Sequence, residues 1–251
     1  MPAGLALGLL LLPLVALIVR APWAALPTLL AEPTVAQALG LSLVTATIST
    51  VVCLVLGIPL ALVLARSAVW PAVPRRLLRA LVTVPLVLPP VVGGVALLLL
   101  LGRRGLIGQW LPFTIPFTPA AVVIAQVFVS MPFLVIAVEG ALRASDRRFE
   151  VAAATLGASR FTVFRRITLP LVAPGIASGA LLCFTRSLGE FGATITFAGS
   201  FPGTTQTLPI STYLLLQTDP NAAIALSLVL MVVSVVVLLS LRDRWVPGVI
   251  S

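Results

Sequence analysis

The sequence predicts an all-α membrane protein of six transmembrane helices, and three observations carry that reading. Of 251 residues, 60% are hydrophobic and only 9% charged, and the mean hydropathy is +1.19. A soluble domain carries about 25% charged residues, so the surplus apolar surface of this chain is assigned to lipid. Six stretches are apolar over the roughly 20 residues that a membrane-crossing helix needs. Finally, the basic residues between those stretches fall mainly on one side when the spans alternate in direction.

The predicted spans are residues 3–19, 41–65, 81–101, 119–142, 171–197 and 222–241, all within a single transmembrane domain, 1–251. The first carries no Arg or Lys between Met1 and Val19. A signal peptide would open with a positive stretch, so this segment is expected to stay as a genuine span. The third contains Pro85, Pro89, Pro90, Gly93 and Gly94, which argues against one straight helix. Irregular backbone at membrane depth survives only against protein or a watery cavity. Pro89, Pro90 and Gly93 are therefore candidates for a pathway lining, with a kinked but purely structural helix as the alternative. Gly4 and Gly8 in the first span, and Gly175 and Gly179 in the fifth, have the spacing that permits close helix approach. About ten residues follow the sixth span, so no appended regulatory domain is expected.

All sixteen basic residues are arginine. With the N-terminus placed in the cytoplasm, the inner segments hold Arg66, Arg75, Arg76, Arg79, Arg143, Arg147, Arg148, Arg160, Arg165, Arg166, Arg242 and Arg244. The outer segments hold Arg20, Arg103 and Arg104. Twelve against three is a strong positive-inside bias, and it places both termini in the cytoplasm. The net charge of +9 is thereby explained without a nucleic-acid partner.

The missing residue types exclude whole classes of function. Without lysine there is no Walker A lysine to reach the phosphates of a nucleotide. Without histidine there is no HExxH zinc site and no Ser-His-Asp triad. Cys53 and Cys183 lie in apolar runs far apart in sequence and read as small buried hydrophobes rather than a disulfide or metal pair. No catalytic residue and no metal site is expected. A secondary transporter driven by an ion gradient would need intramembrane carboxylates, and Glu190 is the one clear candidate; Glu139 reads as satisfied by Arg143 one turn away.

The segment from Arg143 to Pro170 is too long for a simple connector. Ser145 is placed to cap a helix over residues 147–156 with Asp146 at its positive end, and Gly157 to stop it. Ser159 then caps a second short helix to about Ile167, and Pro170 opens the next span. The segment resembles the EAA loop of ABC-importer permeases, whose pattern is E-A-A, three residues, G, nine residues, I-x-L-P. Here Val151, Ala152 and Ala153 fill the triplet, Gly157 follows after three residues, and Ile167, Leu169 and Pro170 follow after nine more. Val151 stands where the family usually has glutamate, and Glu150 lies one position earlier.

The resemblance implies a type I ABC-importer permease fold with a cytoplasmic coupling loop. It also implies a homodimer, two ATPase subunits docked on that loop, and an extracytoplasmic binding protein. No cofactor is implied for this chain, since ATP and Mg belong to the partner ATPase. The run from Ser187 to Gly199, continued by residues 202–209, is similar to the molybdate branch of the family, with sulfate, thiosulfate or tungstate as the alternative cargo.

Arg186 and Glu190 sit four apart, on one face of a helix if it continues. Each would cost about 2.5–3.5 kcal/mol alone at the bilayer centre, so they should face the bundle interior. Two readings stand: a pathway gate whose arginine attracts an anion, or an internal pair that fixes packing. The uncharged stretch 198–217 is expected to be an outer loop that receives substrate.

Overall fold

The computed structural model describes residues 2–146 and 148–245, which are helical over most of their length and contain no strand. The helices are α1 (Pro2–Val19), α2 (Leu26–Leu30), α3 (Pro33–Arg66), α4 (Ala72–Val87), α5 (Pro90–Leu101) and α6 (Pro119–Ala144). They continue with α7 (Arg148–Thr155), α8 (Arg160–Val163), α9 (Leu169–Leu188), α10 (Gly192–Phe197), α11 (Leu208–Thr218) and α12 (Pro220–Trp245). Among the described residues, five helical stretches are long and apolar enough to cross a bilayer. Helices α4 and α5 are apolar enough only when taken together, and they meet at a bend of 114°.

The core is the seam between α3, α6 and α9. Along α3 the buried residues are mostly small: Ala38, Ser42, Thr45, Ala46, Ser49, Cys53, Gly57 and Ala61. They recur every three or four residues, so they form one face of a 3.6-residue helix. Small side chains let backbones approach, which is how helices associate where lipid offers no hydrophobic contrast. Polar groups in the seam then find partners across it. The Ser49 hydroxyl donates to Gln126 Oε1 at 2.9 Å, and Gln126 Nε2 donates to Thr45 Oγ1 at 3.2 Å. Ser130 of α6 is a hub that accepts from Ser187 Oγ at 2.9 Å and from Cys183 Sγ at 3.3 Å, while Cys53 Sγ lies 3.7 Å away. The two cysteines are buried and free. Although 130 positions apart in sequence, they meet at one serine.

On α9, Gly175 and Gly179 face Ala141 and Ala137 of α6, and a Cβ added at Gly175 would collide with the Ala141 methyl. This GxxxG is a real close approach. Among the described residues, the pair Gly4 and Gly8 meets no other helix, and α1 has no buried residue.

Several predicted boundaries are corrected. The second span begins at Pro33 rather than residue 41, giving α3 34 residues and a length of about 51 Å at 1.5 Å per residue. The third span, predicted over 81–101, is two helices. Arginines at 75, 76 and 79 hide the start of α4 from a hydropathy reading, and the helix ends before the Pro89–Pro90 pair. The residue before a proline is pushed out of the helical region; accordingly Leu88 has ψ 133° and Pro89 has ψ 131°.

The fifth span, predicted over 171–197, stops at Leu188, and α10 follows after a break at Gly189–Phe191. Residues 198–217 are not simply an outer loop. They contain α11, whose Leu208, Ile210 and Ser211 are buried and whose Leu208 N–H donates to Ser42 Oγ at 2.7 Å. Upstream of it, Thr205 and Thr207 are also buried.

Pro170 does not open a separate helix either. Residues Arg160–Leu188 run as one helical stretch, with a π turn at Phe164–Thr168 in which Leu169 N–H reaches the Phe164 carbonyl. A proline inside a helix lacks its donor and clashes with the carbonyl four residues back. The wider π turn directly before it accommodates that clash.

Candidate functional site

The loop between α6 and α9 is built from three local devices. Asp146 Oδ1 accepts from Arg148 N–H at 2.9 Å and starts α7. Ser145, predicted to do this, instead donates its hydroxyl back to Leu142 O at 2.9 Å and finishes α6. Arg147, the predicted first residue of this helix, lies outside the described residues.

At its other end α7 stops in a Schellman turn. Gly157 takes φ +84°, Ala158 N–H donates to Ala153 O at 3.0 Å, and Gly157 N–H donates to Ala154 O at 3.0 Å. That left-handed position favours glycine. Nothing lies within 4 Å of a Cβ built there, so the demand is on the backbone and not on space. Ser159 then caps α8 as predicted, its Oγ accepting from Thr162 N–H at 3.2 Å.

Glu150 turns inward and accepts the Thr168 hydroxyl at 2.7 Å, fastening α7 to the π turn at the base of α9. Val151 points outward, 62% exposed. Ala152, Ala153, Ile167 and Pro170 come together with Phe149, Leu156, Arg166 and Leu171 around an apolar groove of about 560 Å³. Leu169 lies half-buried beside it. Phe149, Leu156, Arg166 and Leu171 are groove residues absent from the sequence reading of the site, and Phe149 and Leu156 are 57% and 88% exposed. Their spacing with Ala152 and Ala153 (i, i+3, i+4, i+7) was the available signal.

The pathway candidates of the third and fifth spans meet at α5 and α10. Pro90 and Val91 lie against Gly192, and Gly94 lies against Ala193 and Thr196 so closely that neither glycine has room for a side chain. Glu190 joins this contact to α9. Its Oε2 pairs with Arg186 Nη1 at 2.5 Å and its Oε1 accepts from Ala193 N–H at 2.8 Å, so one carboxylate bridges the break between the two helices. Glu190 is 1% exposed and both its oxygens are engaged. Arg186 keeps 27% of its side chain exposed. Gly93 is buried beneath the Phe128 ring of α6, where an added Cβ would have no room. Pro89 and Pro90 remain exposed at the bend.

Glu139, 5% exposed, accepts from Arg143 Nε at 2.9 Å and also from Arg79 Nη2 at 2.6 Å. The first bond is the pair expected one turn away; the second clamps α4 onto α6.

Residues 57–247 match the family described as binding-protein-dependent transport system inner membrane component. The chain belongs to that family. Among curated relatives of this transport family, it is 53% identical to the molybdenum transport system permease protein ModB of Mycobacterium tuberculosis. That match covers 97% of this chain and 92% of the relative. Identity to ModB of Escherichia coli K12 is 42%, over 85% and 93% of the two chains. The sulfate permease CysT of the same organism is 35% identical over 93% and 86%.

Solved structures agree on the fold. A chain of a bacterial alginate ABC transporter, crystallised with its alginate-bound periplasmic protein, superposes with TM-score 0.73 at 19% identity, covering 95% of this chain and 90% of the other. A chain of the inward-facing MetNI methionine transporter gives 0.66 at 17%, covering 82% and 92%. The chain therefore has the ABC-importer permease fold of a multi-pass inner-membrane component.

Proposed function

We propose that this chain is the permease subunit of an ATP-driven importer that carries molybdate into the cytoplasm. The observation that carries the substrate is the 53% identity to a molybdenum permease along 97% of the chain, against 35% to a sulfate permease. In this reading two copies form the passage, with both termini and the arginine-rich end in the cytoplasm. Two ATPase subunits dock on the 143–170 loop, and an outer binding protein delivers the anion. ATP and Mg bind to the ATPase subunits, and this chain makes and breaks no covalent bond.

The geometry supports a lever. The apolar groove around Ala152, Ala153 and Ile167 receives the ATPase surface. Glu150 holds α7 to Thr168, so a push on the loop reaches α9 without slack. From Arg160 to Leu188 the helix runs 29 residues, about 44 Å at 1.5 Å per residue. At its far end the Arg186–Glu190 pair and the Glu190 bond to Ala193 N–H grip α10, which lies against α5. Closure of the ATPase pair thus moves α10 and α5, the short helices that follow the two breaks in the backbone, and Arg186 offers positive potential to a passing oxyanion.

The test is co-purification with the ATPase and binding protein of the same transporter. The permease alone should show no ATPase activity, and the complex should be stimulated more by molybdate-loaded than by sulfate-loaded binding protein. Equal stimulation by both loaded forms would sink the molybdate assignment; failure to assemble with the ATPase would sink the coupling role.

A further inference from the structure

We infer that the cleft between the end of α3, the start of α4 and the end of α6 binds the phosphate of an anionic lipid headgroup. The cleft measures about 320 Å³ and is lined by Leu64, Ser67, Arg75, Arg76, Arg79 and Arg143. Four guanidiniums share it, and the carboxylate bonded to them is Glu139, bridged between Arg79 and Arg143. A net excess of three positive charges is left in one concave site. Arg79 and Arg143 remain about half exposed, and Arg75 Nη1 donates to Ala68 O at 3.3 Å. Like charges gathered this closely repel, and an anion relieves them. Guanidinium forks suit phosphate oxygens because they bond them in pairs.

The neighbouring surface decides which anion. Helix α4 shows a continuous apolar stripe of Val73, Leu77, Leu81 and Val84, all exposed, next to its arginines. Its Leu78 and Val82 pack inward instead. Trp70, 43% exposed, stands just before it. A helix with an arginine face, an apolar face and a flanking tryptophan belongs at the membrane–water interface. There the stripe meets acyl chains while the cleft meets the headgroup. A free oxyanion would use the arginines and leave the stripe idle. Basic pockets at the cytoplasmic end of transmembrane helices are suited to such lipids. The inference rests on the orientation proposed above and not on the transported anion, so its test does not use transport.

The assembled transporter is equilibrated in vesicles of phosphatidylcholine with phosphatidylglycerol, extracted, and weighed by native mass spectrometry for retained lipid. Phosphatidylglycerol should be retained in preference. The R75Q/R76Q variant should retain about 30-fold less, on about 1 kcal/mol per arginine and tenfold per 1.4 kcal/mol. R75K/R76K, which keeps the charge, should recover most of that loss and guards against a folding defect. R103Q/R104Q, at the opposite end, should behave as the parent.

Equal retention of the two lipids, or an R75Q/R76Q variant that retains as much as the parent, overturns the inference. Inorganic phosphate that displaces bound lipid at millimolar concentration, with no preference for phosphatidylglycerol, identifies a free-oxyanion site and also overturns it. Retention by the permease alone but not by the assembled transporter means that the ATPase fills the cleft, with the same consequence.

Discussion

Glu190 illustrates how one side chain ties helices together inside a membrane. Its carboxylate holds a guanidinium from α9 and a backbone N–H of α10 at once. Removing one partner of a buried pair leaves the other uncompensated, which costs about 3–5 kcal/mol; the low end applies here because Arg186 keeps part of its solvent exposure. Glu190→Gln should lower the thermal midpoint of the purified chain, and adding Arg186→Gln should restore part of the loss. If the double variant is no more stable than the single, the two groups are not the coupled pair described.

At Gly157 the strain is backbone alone. Gly157→Ala should cost about 1–2 kcal/mol for a left-handed L-residue, read as faster amide exchange over residues 150–158, while Gly157→Asn should cost less. Equal effects of alanine and asparagine would contradict the φ +84° turn.

Between elements, small residues set the distances. Gly175→Val should destabilise the chain by about 1–3 kcal/mol through forced separation of α9 from α6, whereas Gly4→Val, with nothing within 4 Å, should leave its stability within about 0.5 kcal/mol. Thermal unfolding of both variants in the same detergent checks the contrast. The two glycine pairs also show where the sequence was legible and where it was not. Their spacing is identical, and only the partner helix, with Ala137 and Ala141 opposite Gly175 and Gly179, tells them apart.

The apolar spans could be read because a bilayer imposes a length. Elements shorter than a bilayer carry no such signature: α11 has 11 residues and α10 has six, so hydropathy merges the first with a loop and the second with a span. The loop followed its local chemistry at Gly157 and Ser159, whose caps act within three residues. Ser145 misled because a serine after a helix can bond backward as readily as forward. The cleft of arginines was invisible because it joins positions 60 to 80 residues apart.

For the whole molecule, composition had the strongest consequence. Lysine is absent throughout, so this chain has no Walker A lysine, and in the proposed complex nucleotide binding falls to the ATPase subunits. In the proposed complex the continuous helix from Arg160 to Leu188 connects the ATPase subunits to the contact of α5 with α10. Glu150→Ala frees α7 from Thr168 and should loosen that connection, leaving ATP hydrolysis by the complex in place while molybdate uptake falls severalfold. Uptake and hydrolysis falling in proportion would place Glu150 outside the coupling. The most direct measurement is molybdate uptake into proteoliposomes holding the complete complex and loaded binding protein. Uptake that requires ATP, survives an uncoupler and is not matched by sulfate is the expected result; uptake that proceeds without ATP and collapses with the uncoupler would contradict it.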